Sequence, residues 1–262
     1  MTDGPMPEYA RPMPEYARPM RVAQLWRYPV KSTGGEQLDV AEVDDRGIVG
    51  DRQWAIVDRS TAKTLTARRE PRLLSAHSRL LSGGGCEIAL ADGEVLRDDD
   101  DLCRWLGYAV SLTRARPGLQ GTYEIAADFE DETGSEWVSW DGPNGSFHDS
   151  TRTQISLLSL GRTRDWDPRR FRANVLLDAG DERDLIDTTI GIGSMAATVV
   201  KLIDRCVMTT RPQPGGIDRD LDVLRTINRE HDGFLGVGAL ITRPGVVAVG
   251  DAIVGPDRPS VG

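Results

Sequence analysis

Short apolar runs cut off by glycine recur along this chain, and they fix its fold class. From Arg21 onward, VAQLWRYPV, EQLDVAEV and QWAIVD are rich in β-branched and aromatic residues, with Gly34-Gly35 and Asp45-Arg46-Gly47 between them. Such segments suit a pleated, half-buried surface, and the glycines mark turns. CEIAL, Asp92-Gly93 and EVL read as a hairpin, and AVSLTRA as a strand. ISLLS, ANVLLD, TTIGIG, MAATVVKLID, CVMTT, FLGVGALITR, VVAV and AIV extend the strand pattern. The expectation is a mainly β protein with some α, a β-barrel architecture with helical decoration.

Helices are few. Asp98 to Asp101 precede Leu102, Cys103, Trp105 and Leu106, so the aspartates cap a short helix and complement its positive end. From Asp218 to Arg229, Leu221, Leu224 and Ile227 recur every three residues and predict a buried stripe, with Asp218 or Asp220 as cap. Arg72 to Leu81 suits a helix or two strands. Residues 116–150, with Gly118, Gly121, Gly134, Gly142 and Gly145, read as a loop that separates a part over 21–115 from a part over 116–262. Residues 5–11 and 12–18 both read PMPEYAR, too few copies for a solenoid, so residues 1–20 are expected to be a disordered tail.

Charge and composition remove several function classes. The net charge is −9, from 41 acidic against 32 basic residues, which argues against broad contact with nucleic acid. No apolar run approaches the roughly 20 residues of a membrane span. The N-terminus lacks the basic start and apolar stretch of a secretory signal. Cys86, Cys103 and Cys206 are too few for a disulfide framework or a cysteine-only metal cluster, which suggests a reducing cytoplasm. GxxxxGK[ST], GxGxxG, HExxH and GxSxG patterns are missing, so common nucleotide cradles, zinc hydrolases and nucleophile elbows lack support.

Three groups of residues could carry chemistry. Cys206 sits in IDRCVMTT, where a strand ends in polar residues beside Arg205; neighbouring arginines favour thiolates, the form that attacks or binds metal. The alternative is a structural cysteine, the reading given to Cys86 and Cys103. Basic clusters fall at strand ends: Tyr28-Pro29-Val30-Lys31-Ser32, Gly50-Asp51-Arg52, and Arg169-Arg170-Phe171-Arg172-Ala173-Asn174. They could clamp a phosphate, or simply pair with surface carboxylates. Phe147-His148-Asp149-Ser150-Thr151 is a polar loop that suits a ligand-facing position.

Taken in order, YPVKS, GDRQWAIVD with LTARREPRLL, FHDSTRTQISLLS, RFRANVLLD, IDRCVMTT and GVVAVGD resemble the MOSC family. The likeness is to its two-part members, similar to the mitochondrial amidoxime reducing component and bacterial relatives, over roughly residues 21–255. It implies a β-barrel-rich N-terminal domain, a C-terminal MOSC domain and a molybdenum cofactor (molybdopterin) between them. It implies Cys206 as the molybdenum ligand. Lys31, Ser32, Arg52, Ser150, Thr151, Arg172, Asn174 and Arg205 would face the cofactor, and Asp149 would assist proton delivery. The implied activity is reduction of N-hydroxylated compounds by oxygen transfer to molybdenum, with electrons from a separate flavoprotein, ferredoxin or cytochrome. A cofactor carrier or sulfurase-type module using Cys206 is the rival reading. Departures from the family pattern are Asp204 before Arg205, and Arg211-Pro212-Gln213-Pro214-Gly215-Gly216 where an acid–proline–x–x–glycine run is common. The mitochondrial relatives' membrane anchor is not expected.

Overall fold

A computed structural model describes residues 19–128 and 134–255; the repeated heptapeptide lies outside them. The short apolar runs become strands: β1 Val22–Arg27, β2 Glu36–Leu38, β3 Val40–Asp44, β4 Gly47–Ile48, β5 Trp54–Asp58, β6 Ala76–Leu80, β7 Cys86–Leu90, β8 Val95–Leu96 and β9 Val110–Arg114. Helix α1, Asp99–Leu106, precedes β9. There follow β10 Gln120–Ala126, β11 Trp137–Asn144, β12 Ile155–Ser159, β13 Val175–Leu177, β14 Thr189–Ile192 and β15 Met195–Asp204. Helix α2, Asp222–His231, leads to β16 Phe234–Arg243, β17 Gly245–Ala248 and β18 Ile253–Val254. The fold is mainly β with some α, as the pattern predicts. No helix among the described residues is long and apolar enough to cross a membrane.

Eight strands form one sheet, in the order β18-β14-β15-β16-β12-β13-β1-β2. The start of the chain therefore pairs with its later half: β1 runs antiparallel to β13, with Leu25 opposite Val175. In return β17 pairs with β3, with Gly245 opposite Val43. The apolar residues Val22, Leu25 and Val43 share one core with Ile155, Val199 and Val237. A second core gathers Ile56, Leu73, Ile88, Leu102 and Val110 around α1. A third seats Val223 and Ile227 of α2 on Leu158, Phe171 and Leu235.

The pairing of β12 with β13 is parallel. Parallel neighbours need a long crossover, and every residue of β12 is buried, as befits a central strand. Residues 160–174 make that crossover and carry the arginine cluster back to the end of the sheet. Asp98 caps α1 by accepting from Asp101 N, and Gly107 closes it in a left-handed conformation.

Four local expectations need correction. Residues 116–150 are not a loop: β10 and β11 form a hairpin with Tyr123 opposite Trp140. Its glycines mark close approaches, since a Cβ at Gly142 would fall 2.4 Å from the Tyr123 ring. CVMTT is not a strand but a 3₁₀ turn over Val207–Thr210. The Thr209 and Thr210 hydroxyls donate to the carbonyls of Cys206 (3.0 Å) and Val207 (2.8 Å), which competes with strand pairing. Helix α2 begins at Asp222 rather than Asp218. Asp218 O is held by Arg170 and Asp220 N by Thr210 O, so this stretch is committed elsewhere. Leu221 is therefore exposed, and Val223 joins Leu224 and Ile227 in the buried stripe. Arg72 to Leu81 splits into a 3₁₀ turn over Pro71–Ser75 and β6.

Candidate functional site

Sharp turns at strand ends deliver the cationic side chains. Ser32 (φ +69°) follows β1, Arg52 (φ +47°) precedes β5 and Arg172 (φ +52°) leads into β13. All three hold left-handed backbone, which costs a non-glycine residue on the order of 1 kcal/mol or more and is concentrated at functional turns.

These turns converge on a cleft of about 370 Å³ at the end of the large sheet. Of the residues singled out in the sequence, Arg52, Asp149, Ser150, Arg172, Asn174, Arg205 and Cys206 line it. Lys31, Ser32 and Thr151 do not. Lys31 stands behind Asp149: its ammonium donates to Asp149 Oδ1 (3.0 Å) and Phe147 O (2.9 Å) and lies 4.1 Å from the Tyr123 ring centroid. Ser32 Oγ accepts from Ala67 N at 3.0 Å and so anchors the segment carrying Arg68. Thr151 is exposed beside the cleft.

The floor is built on Tyr28. The guanidinium carbons of Arg172 and Arg52 lie 4.3 and 5.3 Å from its ring centroid. Burial pushes the Tyr28 phenol up to about 12, so it stays neutral. Arg52 pairs with Asp51 and donates to Arg172 O, and Arg172 donates to Thr33 O. Burial, with Arg52 as neighbour, draws Arg172 down to about 10. Arg205 donates to Leu235 O (2.6 Å) and Phe171 O (2.9 Å), and burial draws it to about 10 despite the attraction of Cys206. Its Nη2 is buried without a hydrogen-bond partner. Asn174 spends its amide inside the fold: Oδ1 accepts from Ser156 N and Oγ, and Nδ2 donates to Trp26 O.

Sequence reasoning did not single out Arg68 or Trp140, which also line the cleft, beside Arg170 of the basic cluster before β13. Arg68 Nη1 is 3.6 Å from Asp149 Oδ1, its guanidinium lies 5.4 Å from the Trp140 ring centroid, and its Nε is buried and unpartnered. Against burial, Cys206 and Asp149 hold Arg68 charged. The signal was present in LTARREPRLL, where Arg68 is hidden among other charges. Burial raises the Asp149 carboxyl, but Lys31 and Arg68 outweigh it and keep the group well below the usual carboxylate range.

Cys206 lies two residues past the end of β15 and occupies the cap position of the Val207–Thr210 turn. It is a free thiol. Cys86, also a free thiol, lies on β7, where burial pushes it up to about 12. Among the described residues no group of three His, Cys, Asp or Glu side chains could hold a metal ion. A metal here would draw one thiol from the protein and need its remaining ligands from elsewhere.

Fold and site together define a two-part β-rich protein with one thiol set in an arginine-lined cleft. Residues 19–101 match the MOSC N-terminal beta barrel domain and residues 149–254 match the MOSC domain. The chain belongs to the MOSC-domain family, in its two-part form. Curated relatives include the molybdenum cofactor sulfurase of Drosophila willistoni, 25% identical over 254 residues, which cover 85% of this chain and 31% of that protein. That of Drosophila mojavensis is 26% identical, with 85% and 32% covered. The chain thus spans about a third of the length of these relatives. Among solved structures, the YuaD protein of Bacillus subtilis aligns with a TM-score of 0.43 at 15% identity, covering 90% of this chain and 94% of that one. YiiM from Geobacillus stearothermophilus aligns with a TM-score of 0.34 at 14% identity, covering 53% and 74%.

Proposed function

We propose that the cleft binds a molybdenum cofactor and that the chain is an oxidoreductase reducing N-hydroxylated compounds. The observation that carries this reading is the meeting of Cys206 with Arg52, Arg68, Arg172 and Arg205 at one cleft, where Arg68 Nε and Arg205 Nη2 are buried without partners. Buried orphan donors call for an acceptor, and here an anion is the natural one. The donor set fits the cofactor. A thiolate suits a metal that already carries the pterin's dithiolene sulfurs, so one protein ligand is enough. Arg52, Arg172 and Arg205 supply the positive charge that its phosphate needs inside a −9 protein.

In this reading Cys206 ligates the metal, and Ser150 and Asn174 border the pterin. Lys31, Ser32 and Thr151 act from outside the cleft wall. When bound, the cofactor supplies oxygen transfer and two-electron redox change. In place of the proton delivery that the resemblance implies, Asp149, kept ionised by Lys31 and Arg68, accepts a hydrogen bond from the substrate's N–H and orients the N–O group. Electrons come from a separate flavoprotein, ferredoxin or cytochrome. We place the protein in a reducing cytoplasm, in keeping with its free cysteines.

The test is metal analysis of the purified protein, followed by reduction of benzamidoxime or hydroxylaminopurine with an artificial electron donor. Turnover by the molybdenum-loaded protein is the expected result. Loaded protein that reduces neither compound overturns the reductase reading. A second reading, cofactor carriage or sulfur transfer, is favoured by the likeness to molybdenum cofactor sulfurases. It predicts an added sulfur on Cys206, visible by mass spectrometry, and rapid release of the cofactor to an acceptor protein.

A further inference from the structure

We propose that His148 passes protons between the cleft and a small outer cavity on its other side. His148 lines both spaces. The outer one, about 30 Å³, is bounded by Asp44, Asp51, Gln53 and Ser146. It has room for an ordered water, with polar groups to hold it. His148 is only 6% exposed, yet among the described residues nothing hydrogen-bonds its ring. Its backbone is fixed instead: Tyr123 Oη donates to His148 O at 3.1 Å. A buried imidazole with no protein partner, set between two polar cavities, is placed to bond water on each side.

The charged groups facing the ring are Arg52 and Lys31 on one hand and Asp51 and Asp149 on the other. Burial, then Arg52, lowers the ring to about 4, so it is neutral near pH 7 and carries one proton. A neutral imidazole relays by taking a proton at its free nitrogen and releasing one from the opposite nitrogen. Its charge is restored each time, and a flip of the ring restores the tautomer before the second proton passes.

The need for a relay rests on the reductase reading. Reduction of an N-hydroxyl follows R–NH–OH + 2 e⁻ + 2 H⁺ → R–NH₂ + H₂O. The N–O bond breaks, the separate donor protein supplies both electrons, bulk water supplies both protons, and one water leaves. Asp149, held ionised, is an acceptor rather than a proton source.

Two measurements test the relay. The chain has three histidines, so ¹⁵N imidazole signals can be assigned with His148→Gln. The ring N–H of His148 is expected to exchange with water within milliseconds despite its burial. A sharp ring N–H that persists for minutes in D₂O overturns the relay, whatever the activity. In the molybdenum-loaded enzyme with an artificial donor, His148→Phe should lower kcat at least about tenfold with little change in KM. It should also raise the solvent isotope effect, and added imidazole should restore part of the rate. An unchanged kcat, or a loss that imidazole does not restore, overturns the relay. His148→Gln replaces the Phe variant in this assay if the latter does not fold. If the wild type itself reduces nothing, the reductase reading fails and the ring-exchange measurement alone decides the relay.

Discussion

Arginine is used in two ways in this molecule. On the surface Arg72, Arg79, Arg104 and Arg183 each meet a carboxylate, from Glu70, Glu87, Asp101 and Asp181. In the cleft Arg170, Arg172 and Arg205 donate to backbone carbonyls, and Arg172 and Arg205 also lie against aromatic rings. A carbonyl or a ring orients a guanidinium without cancelling its charge, whereas a carboxylate neutralises it. The fold thus satisfies surface cations locally and keeps Arg170, Arg172 and Arg205 available to an anionic ligand, while Arg52 and Arg68, which share the cleft, meet Asp51 and Asp149.

The sharpest way to break this contrast is to remove the thiol the cations surround. Cys206→Ser should cut bound molybdenum and activity by about a hundredfold or more, read by metal analysis and turnover, because an alcohol is a poor soft ligand. Next in size is the loss of anion response. A phosphate-bearing ligand at a hundredfold its Kd should stabilise the wild type by about 2.7 kcal/mol. At the same concentration, Arg172→Met with Arg205→Met should gain almost nothing in thermal unfolding. Without ligand the double variant should be less stable than the wild type by about 1–3 kcal/mol or more, because Thr33 O, Leu235 O and Phe171 O lose their donors.

Gly236→Ala probes how Arg205 is held. Gly236 has φ +86°, and a Cβ there would fall 2.9 Å from both Arg205 Nη2 and Leu157 O. The change should cost about 1–3 kcal/mol in denaturant unfolding. Lys31 gives a pH signature. Burial lowers it to about 8 from the ordinary 10.5, so the folded state binds fewer protons than the unfolded chain between these values. That part of stability therefore rises with pH across the window, and Lys31→Met should flatten the rise. Anion binding should run the opposite way, weakening above pH 8 as Asp149 loses its cationic partner. The smallest effect should come from the surface: Arg183→Met should change stability by less than about 1 kcal/mol.

The β architecture was legible because its strands are written as local runs, and the turns at Lys31, Arg52 and Arg172 because basic residues stand at the ends of those runs. What the residues alone could not show was which basic groups would escape carboxylates, since that depends on pairings as distant as Arg21 with Ala252. Arg68 was illegible for the same reason: in sequence it neighbours Arg69 and Glu70, but in the fold its neighbours are Asp149 and Trp140. The β10–β11 hairpin was masked by its glycines, which read as turns but permit Tyr123 to pack closely. The turn after Cys206 was hidden by threonines, which favour strands until their hydroxyls find a local carbonyl.

The swap of strands between the two ends of the chain has a consequence for biosynthesis. With β1 locked beside β13 and β17 beside β3, the cleft cannot close until the segment from β13 to β17 has left the ribosome. Whatever occupies the cleft must therefore be inserted after β17 has been made, into strands that have already found their distant partners.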